Sequence, residues 1–274
     1  MTDDGAAAAR WREALDSWAI PKEILDAAPE SPWGCPVELF ARRADAARPP
    51  TPTEERAREA LPDGGTVLDV GCGAGAASIP LAGRASRLLG VDGSAGMLQA
   101  FRERAEAAGV DVSTIEGTWP DAAAATPAAD VVVCAHVVYN VPDAAPFARA
   151  LTDRARRRVV VELMLVHPVS NLNDLWFRFH GLQRPTRPTA DDYVAVLREM
   201  GIEPARVDWE VQDWRGGFTR SEDLVAFVRK RLCLTPDRDP EIWEAIRDRV
   251  IERNGTFGLP PKPNATLWWD GSAG

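Results

Sequence analysis

The chain has 274 residues, 45% apolar and 27% charged, which is the make-up of a soluble globular protein with one large domain or two small ones. Its net charge is −9 and its densest basic stretch is only residues 154–158, so a partner bound through phosphate charge, nucleic acid or an anionic membrane, is disfavoured. Cys35, Cys72, Cys134 and Cys233 lie far apart with no CxxC, His136, His167 and His180 have no metal spacing, and neither a leader-like N-terminus nor a membrane-length apolar run is present; the expectation is a cytoplasmic chain with reduced thiols and no metal.

Residues 1–60 read as a helical cap broken by prolines. Ala8, Trp11, Leu15 and Trp18 fall at helical spacing, and Pro21, Pro29, Pro32 and Pro36 cut the rest of the segment into short pieces. Residues 47–53 form a stiff linker, Thr53 is placed to cap a helix through Leu61, and residues 62–65 (PDGG) make a turn.

From Thr66 the pattern changes to alternating strand and helix. Strands are expected at residues 67–70, 88–91, 112–115, 130–134 and 159–163, in the continuous apolar runs of strands buried on both faces. Ser94 caps a helix carrying Met97, Leu98, Phe101, Ala105 and Ala108, closed by Gly109, and residues 147–151 belong to the helix before the fifth strand. Thr189 and Asp192 form a capping box for a helix through Met200, with Gly201 as its stop. Val207, Trp209 and Val211 alternate, as do Ala265, Leu267 and Trp269, giving two last strands. Between them lie two amphipathic helices, one bearing Leu224, Val225, Phe227, Val228 and Leu232, the other opening at Pro240 and bearing Ile242, Trp243, Ile246 and Val250.

The first strand runs into glycines: residues 67–78 read VLDVGCGAGAAS. Glycine admits positive φ and lets backbone N–H groups approach a ligand with no Cβ in the way. A helix opened by such a loop offers its N-terminus to anions. Gly71, Gly73 and Ala76 satisfy the dinucleotide pattern GxGxxA, and Asp92, 21 residues after Gly71, ends the second strand where a carboxylate takes two ribose hydroxyls. A dinucleotide and S-adenosylmethionine both fit this much. Three features favour the second. Asp69 would repel a pyrophosphate and attract a sulfonium that carries an ammonium group. The GxGxG spacing leaves room for a nucleoside. The chain ends in two alternating strands without a second mononucleotide-binding half.

Residues 67–75 (VLDVGCGAG) resemble motif I of the class I S-adenosylmethionine-dependent methyltransferases; residues 90–97 (GVDGSAGM) resemble their second motif, and residues 129–134 (ADVVVC) followed by Val141-Pro142-Asp143 the fourth. The resemblance covers roughly residues 62–165. It implies that Asp69 lies near the methionine amino group, partly through water, and that Gly71, Gly73 and Gly75 pass under the ribose and methionine portions. Asp92 would hold the ribose hydroxyls, Gly93 or Met97 would pack on the adenine, and Cys134 would offer its carbonyl to the ammonium. Gly117 and Thr118 would face the adenine amino group; the family often has an acid after that glycine, where this chain has a hydroxyl. Many relatives carry paired histidines before Val-Pro-Asp, where this chain has Tyr139 and Asn140.

His136 lies two residues past Cys134, at the strand edge where doubly wound sheets bind ligands. It is the candidate general base for an acceptor hydroxyl, with a structural or merely contacting histidine as the plainer role. Tyr139 is the candidate to bond or position the acceptor. Trp33, His167, Trp176 and His180 are candidates for an aromatic-walled acceptor pocket, although most aromatics outside the sheet would simply pin the cap. Glu162 reads as structural and Cys72 as a small buried filler.

The expectation is an α/β protein: a doubly wound, seven-stranded, Rossmann-like sheet with a helical cap. Residues 1–60 would be the cap, and 61–274 the methyltransferase domain with cap insertions at about 166–188 and 216–256. The resemblance implies methyl transfer from S-adenosylmethionine, releasing S-adenosylhomocysteine, to an O, N or C atom of a small molecule. Arginine far outnumbers lysine, a habit of high-GC bacterial genomes in which secondary metabolism is a common home for such enzymes. The alternatives are a non-catalytic S-adenosylmethionine-binding protein and an NAD-dependent oxidoreductase. Neither a nucleic-acid nor a membrane partner is expected, and monomer and homodimer stay open.

Overall fold

The structure is a computed structural model that describes residues 5–33, 49–211 and 217–273. The expectations on Cys35, Pro36 and the start of the 47–53 linker lie outside these residues. The strands are β1 (Gly65–Val70), β2 (Ala85–Asp92), β3 (Asp111–Glu116), β4 (Ala129–Ala135), β5 (Ala155–Met164), β6 (Ala205–Trp209), β7 (Ile251–Arg253), β8 (Thr256–Gly258) and β9 (Asn264–Asp270). The helices are α1 (Ala6–Asp16), α2 (Lys22–Ala27), α3 (Pro52–Ala60), α4 (Ala95–Ala107), α5 (Ala144–Arg154), α6 (Asn173–His180), α7 (Ala190–Glu199), α8 (Ser221–Arg231) and α9 (Asp239–Ile246).

Seven strands form one sheet in the order β3-β2-β1-β4-β5-β9-β6. The first five are parallel, and β9 runs antiparallel between β5 and β6. The chain steps outward from β1 to β3, then returns to place β4 on the other flank of β1. The carboxyl ends of β1 and β4 therefore border the point where the winding reverses, which is where open sheets of this kind leave a crevice.

Both faces of the sheet are covered. Leu68, Val70, Val132 and Cys134 pack with Phe147 and Leu151 of α5, Tyr193 and Leu197 of α7, and Trp11 of α1. The alternate residues Val67, Val131, Val133 and Val160 pack with Ala57 of α3 and with Leu98 and Phe101 of α4. Burying each such large side chain stabilises the fold by about 1.5–3 kcal/mol. The N-terminus of α1 has no cap of its own; the Glu199 carboxylate accepts from Ala7 N at 3.0 Å and Ala8 N at 3.2 Å. A third apolar cluster joins Ile20, Leu175, Trp176, Leu224, Val228, Ile242 and Ile246, drawing on all three segments expected in the cap. No helix among the described residues is long and apolar enough to cross a membrane.

Five local expectations are corrected. Thr51, not Thr53, caps α3, because Pro52 takes the first helical position and Glu54 completes a capping box. Thr53 instead turns inward, its hydroxyl 2.7 Å from that of Thr266. Helix α3 covers the sheet, so the stretch 1–60 is not cap throughout. The glycine loop opens no α-helix: turns lead to one short 3-10 turn at Ile79–Leu81, with Pro80 inside it. The anion-binding helix end expected there is absent. Finally, α9 stops at Ile246, and Asn254 and Gly255, both at positive φ, turn β7 into β8.

Candidate active site

Gly71 and Gly75, at φ +68° and +85°, are hemmed in: a Cβ on Gly71 would stand 2.4 Å from Val137 Cγ2, and one on Gly75 2.6 Å from Ile79 and 2.8 Å from Phe101. The loop is also tied to β2, since Gly71 N and Cys72 N both donate to Val91 O. Gly73 is the opposite case. Its φ is +49° and no atom lies within 4 Å of where a Cβ would stand, so this backbone faces open space. Gly93 is exposed, with only Thr118 Cγ2, at 4.0 Å, near its missing Cβ.

Asp92 stands between these two bare stretches. Its half-buried carboxylate accepts from Gly73 N and Ser94 N, both at 2.9 Å. A carboxylate has about four acceptor positions, so capacity remains for the hydroxyls of a ligand. Gly117 N donates to Asp92 O at 3.0 Å, which brings Gly117 and Thr118 to the same rim. Thr118 Oγ1 donates to Asp121 Oδ2 at 3.3 Å, so a carboxylate that the sequence motifs do not single out lies next to the residue where the family's acid is missing. Met97 is half-buried, one turn into α4, its N–H on Ser94 Oγ at 3.4 Å.

Asp69 lies beneath the loop, 1% exposed, and accepts from Ser78 Oγ at 2.6 Å. Burial pushes its carboxyl up to about 7; the Ser78 bond opposes this and the charge of Asp92 adds to it. A cation placed nearby would restore its ionised form. Cys72 and Cys134 are buried, and desolvation, aided by Asp69, pushes both thiols well above their ordinary range, so neither is a nucleophile. The recess fits S-adenosylmethionine: bare backbone at Gly73 and Gly93, a carboxylate with spare acceptor capacity at Asp92, and an under-solvated carboxyl at Asp69 for a cationic tail.

His136 leaves β4 at φ +61°, a left-handed conformation that costs a residue with a side chain about 1–2 kcal/mol. Two bonds hold it there. Its N–H donates to Glu162 O at 2.8 Å, and its Nε2 lies 2.9 Å from Glu162 Oε1. Glu162 is 6% exposed on its side chain, while the imidazole is 38% exposed. When Nε2–H is given to the carboxylate, Nδ1 is the nitrogen left to accept a proton. The structural role expected of Glu162 is thus too narrow; the sequence signal for more was a lone carboxylate inside the apolar run of residues 159–163.

The remaining candidates separate. Tyr139 donates its hydroxyl to Met164 O at 2.7 Å, stacks on Trp11 and is 5% exposed; burial raises its phenol, so it is a packing residue and not a proton donor or acceptor for a substrate. His167 stacks on Trp18 at 3.8 Å and meets the Tyr139 edge at 5.4 Å, close behind the crevice. Trp176 is buried in the cap cluster and His180 Nε2 is 2.6 Å from Leu232 O, so this pair ties α6 to the end of α8. Trp33 is 54% exposed at the surface. The cofactor candidates and His136 thus gather at one sheet edge, while Trp33, Trp176 and His180 do not join them.

Residues 67–158 match a family model described as a methyltransferase domain. Over 208 residues, 74% of this chain and 75% of the relative, the chain is 26% identical to an uncharacterised protein of Haemophilus influenzae. It is 41% identical over 86 residues to a ubiquinone biosynthesis O-methyltransferase of Serratia proteamaculans; that match spans 31% of this chain and only 36% of the relative. Among solved structures, a methyltransferase of Geobacter sulfurreducens in complex with S-adenosylhomocysteine superposes with a TM-score of 0.51 at 18% identity, covering 85% of this chain and 97% of that one. At that identity the likeness speaks for the fold alone.

Proposed function

Given that the chain belongs to the class I S-adenosylmethionine-dependent methyltransferases, we propose that it methylates a hydroxyl group of a small molecule, with His136 as the base. The observation that carries this reading is the His136–Glu162 pair at the carboxyl edge of β4, beside the glycine loop and half open to solvent. S-adenosylmethionine, when bound, supplies an electrophilic methyl group on a positively charged sulfur. His136 Nδ1 takes the hydroxyl proton as the oxygen becomes a nucleophile, and the Glu162 carboxylate steadies the imidazolium that results. Gly73, Gly93 and Asp92 hold the nucleoside; Asp69 balances the charge of the tail. The chain's main service is to align the two reactants and exclude water. That the aligned Serratia proteamaculans relative is named for O-methylation supports oxygen as the target atom. The net charge of −9 supports a small acceptor over a nucleic acid.

The test is calorimetric titration with S-adenosylhomocysteine and with NAD, followed by transfer of labelled methyl to a panel of small hydroxylated compounds. S-adenosylhomocysteine should bind at micromolar concentration and NAD should not, with binding weakened in Asp92→Ala. Turnover should be lost in His136→Ala with S-adenosylhomocysteine binding kept. Binding without turnover on any acceptor would instead make the chain a non-catalytic S-adenosylmethionine binder.

A further inference from the structure

Arg184 sits in the loop between α6 and α7 and is 6% exposed, so its guanidinium has been taken out of water. Its Nη1 donates to Ala19 O at 3.1 Å and its Nη2 to Trp18 O at 2.5 Å. Its Cζ lies 5.3 Å from the centroid of the Trp18 ring and 5.0 Å from that of Trp176. Carbonyls and indoles satisfy N–H groups and the ring faces, but they carry no compensating charge. Among the described residues no carboxylate is within ion-pair distance of Arg184, and its Nε is buried with no hydrogen-bond partner. A buried cation left in this way is costly unless an anion arrives.

A second cation repeats the pattern next door. Lys262 Nζ donates to His167 O at 2.8 Å, Pro168 O at 2.9 Å and Ser170 Oγ at 2.9 Å, again without an acid among the described residues. Between the two lies His167, flat on Trp18, with Nδ1 buried and unpartnered. Burial first, then the charges of Lys262 and Arg184, push His167 down to about 3, so its ring is neutral. In a chain of net charge −9, this is a local cluster of positive charge set among aromatic rings. It adjoins the reaction site through one side chain: His167 packs on Tyr139, whose hydroxyl bonds Met164 O, two residues past Glu162.

We propose that this cation cluster binds a carboxylate of the acceptor, held by the edge of the Arg184 guanidinium with His167 and Lys262 alongside, so that the molecule methylated is a hydroxy acid. The identity of the acceptor class rests on the methyl-transfer reading above; the anion site itself does not. A guanidinium stacked on aromatic rings offers its planar N–H edge, which matches a carboxylate with two parallel bonds.

The test is calorimetric titration of the full chain, with and without S-adenosylhomocysteine, using 4-hydroxybenzoate and a set of aliphatic hydroxy acids, each against its uncharged primary amide. The acids should bind at least about tenfold more tightly than the amides, as expected for a charge-assisted pair. Arg184→Gln should bring the acid down to the level of its amide while amide and S-adenosylhomocysteine binding stay as they were. Arg184 also ties residues 18 and 19, so circular dichroism and melting of the variant are needed; should it fail to fold, Lys262→Met decides, with a several-fold loss of the acid preference expected. The proposal is overturned if acids and amides bind alike, if none binds to protein that binds S-adenosylhomocysteine, or if Arg184→Gln weakens acid and amide in parallel. An acid preference in protein that fails to bind S-adenosylhomocysteine would keep the anion site and sink the methyl-transfer reading.

Discussion

The carboxyl edge of the sheet and the cation cluster around Arg184 are opposites. At the edge, Asp69 is a buried carboxyl bonded to a serine hydroxyl, with Asp92 as its charged neighbour. Under the cap, Arg184 and Lys262 are cations bonded to carbonyls, with a neutral histidine between them. Among the described residues, none of Asp69, Arg184 and Lys262 has an ion-pair partner. Exposed ion pairs elsewhere, such as Arg206 with Asp191 or Arg238 with Glu241, match their charges within the fold. The contrast suggests that unmatched buried charge marks where the charge of a ligand arrives: a cation at the sheet edge, an anion at the cap.

The sharpest way to separate the two regions is to remove the group that reacts. His136→Ala should lower kcat by about 10²–10⁴, the usual worth of a general base, and leave S-adenosylhomocysteine affinity unchanged. A steady-state assay with saturating acceptor checks this. A change in KM alone, with kcat intact, would move the chemistry away from the sheet edge.

The next largest effect concerns Asp69. Its carboxyl titrates near 7 in the folded chain against 3.8 when free, so between those values the folded state keeps a proton that the unfolded state has lost. Stability should therefore fall as pH rises from about 4 to about 7, by up to about 4 kcal/mol at 1.36 kcal/mol per unit, and stay level above. Asp69→Asn, which can still accept from Ser78, should flatten that slope in thermal unfolding at pH 5 and pH 7.5. The same variant should no longer release a proton when S-adenosylhomocysteine binds at pH 6, measured in two buffers of different ionisation heat. An unchanged slope would mean that Asp69 is ionised in the free protein.

Lys262 gives the mirror image. Burial pushes it down to about 8 from 10.5, so between those values the unfolded chain holds the extra proton and stability rises with pH. The side chain is only half-buried, so the gain is on the order of 1–2 kcal/mol after solvent screening. Lys262→Met should lack the rise between pH 8 and pH 10. If both variants changed the same pH window, the two regions would not be electrostatically independent.

The sequence made one of these regions legible and hid the other. The sheet could be read because β1, β4 and β5 are apolar on both faces, and the glycines, Asp69 and Asp92 lie within one strand-loop-strand unit. Local chemistry also gave the capping box at Thr189 and Asp192. The turn at Asn254 and Gly255 carried a hairpin signal, but extending the helical period to Val250 obscured it. Arg184 has no local pattern at all: it lies in an irregular loop, and its acceptors, Trp18 and Ala19, come from the far end of the chain. Long-range contacts of this kind leave no periodicity to read.

The pairing of His136 with Glu162 lies between those cases, and testing it gives the smallest expected effect. Neither residue announces the other in sequence. They meet because β4 and β5 run parallel with Ala135 opposite Glu162, so the residue after Ala135 swings back over that carboxylate. Replacing the carboxylate by an amide keeps an acceptor for Nε2–H and removes the charge that steadies the imidazolium. A hydrogen bond to a charged group is worth about 1.5–3 kcal/mol, and the retained amide places Glu162→Gln at the lower end, about tenfold in kcat. KM for the acceptor should hold, because Glu162 reaches the reaction only through His136. In the His136→Ala background the same substitution should have no further effect on kcat, since a partner that acts by holding the imidazole has nothing left to hold. An equal tenfold loss in both backgrounds would show that Glu162 supports the sheet edge itself and that the imidazole stands without it.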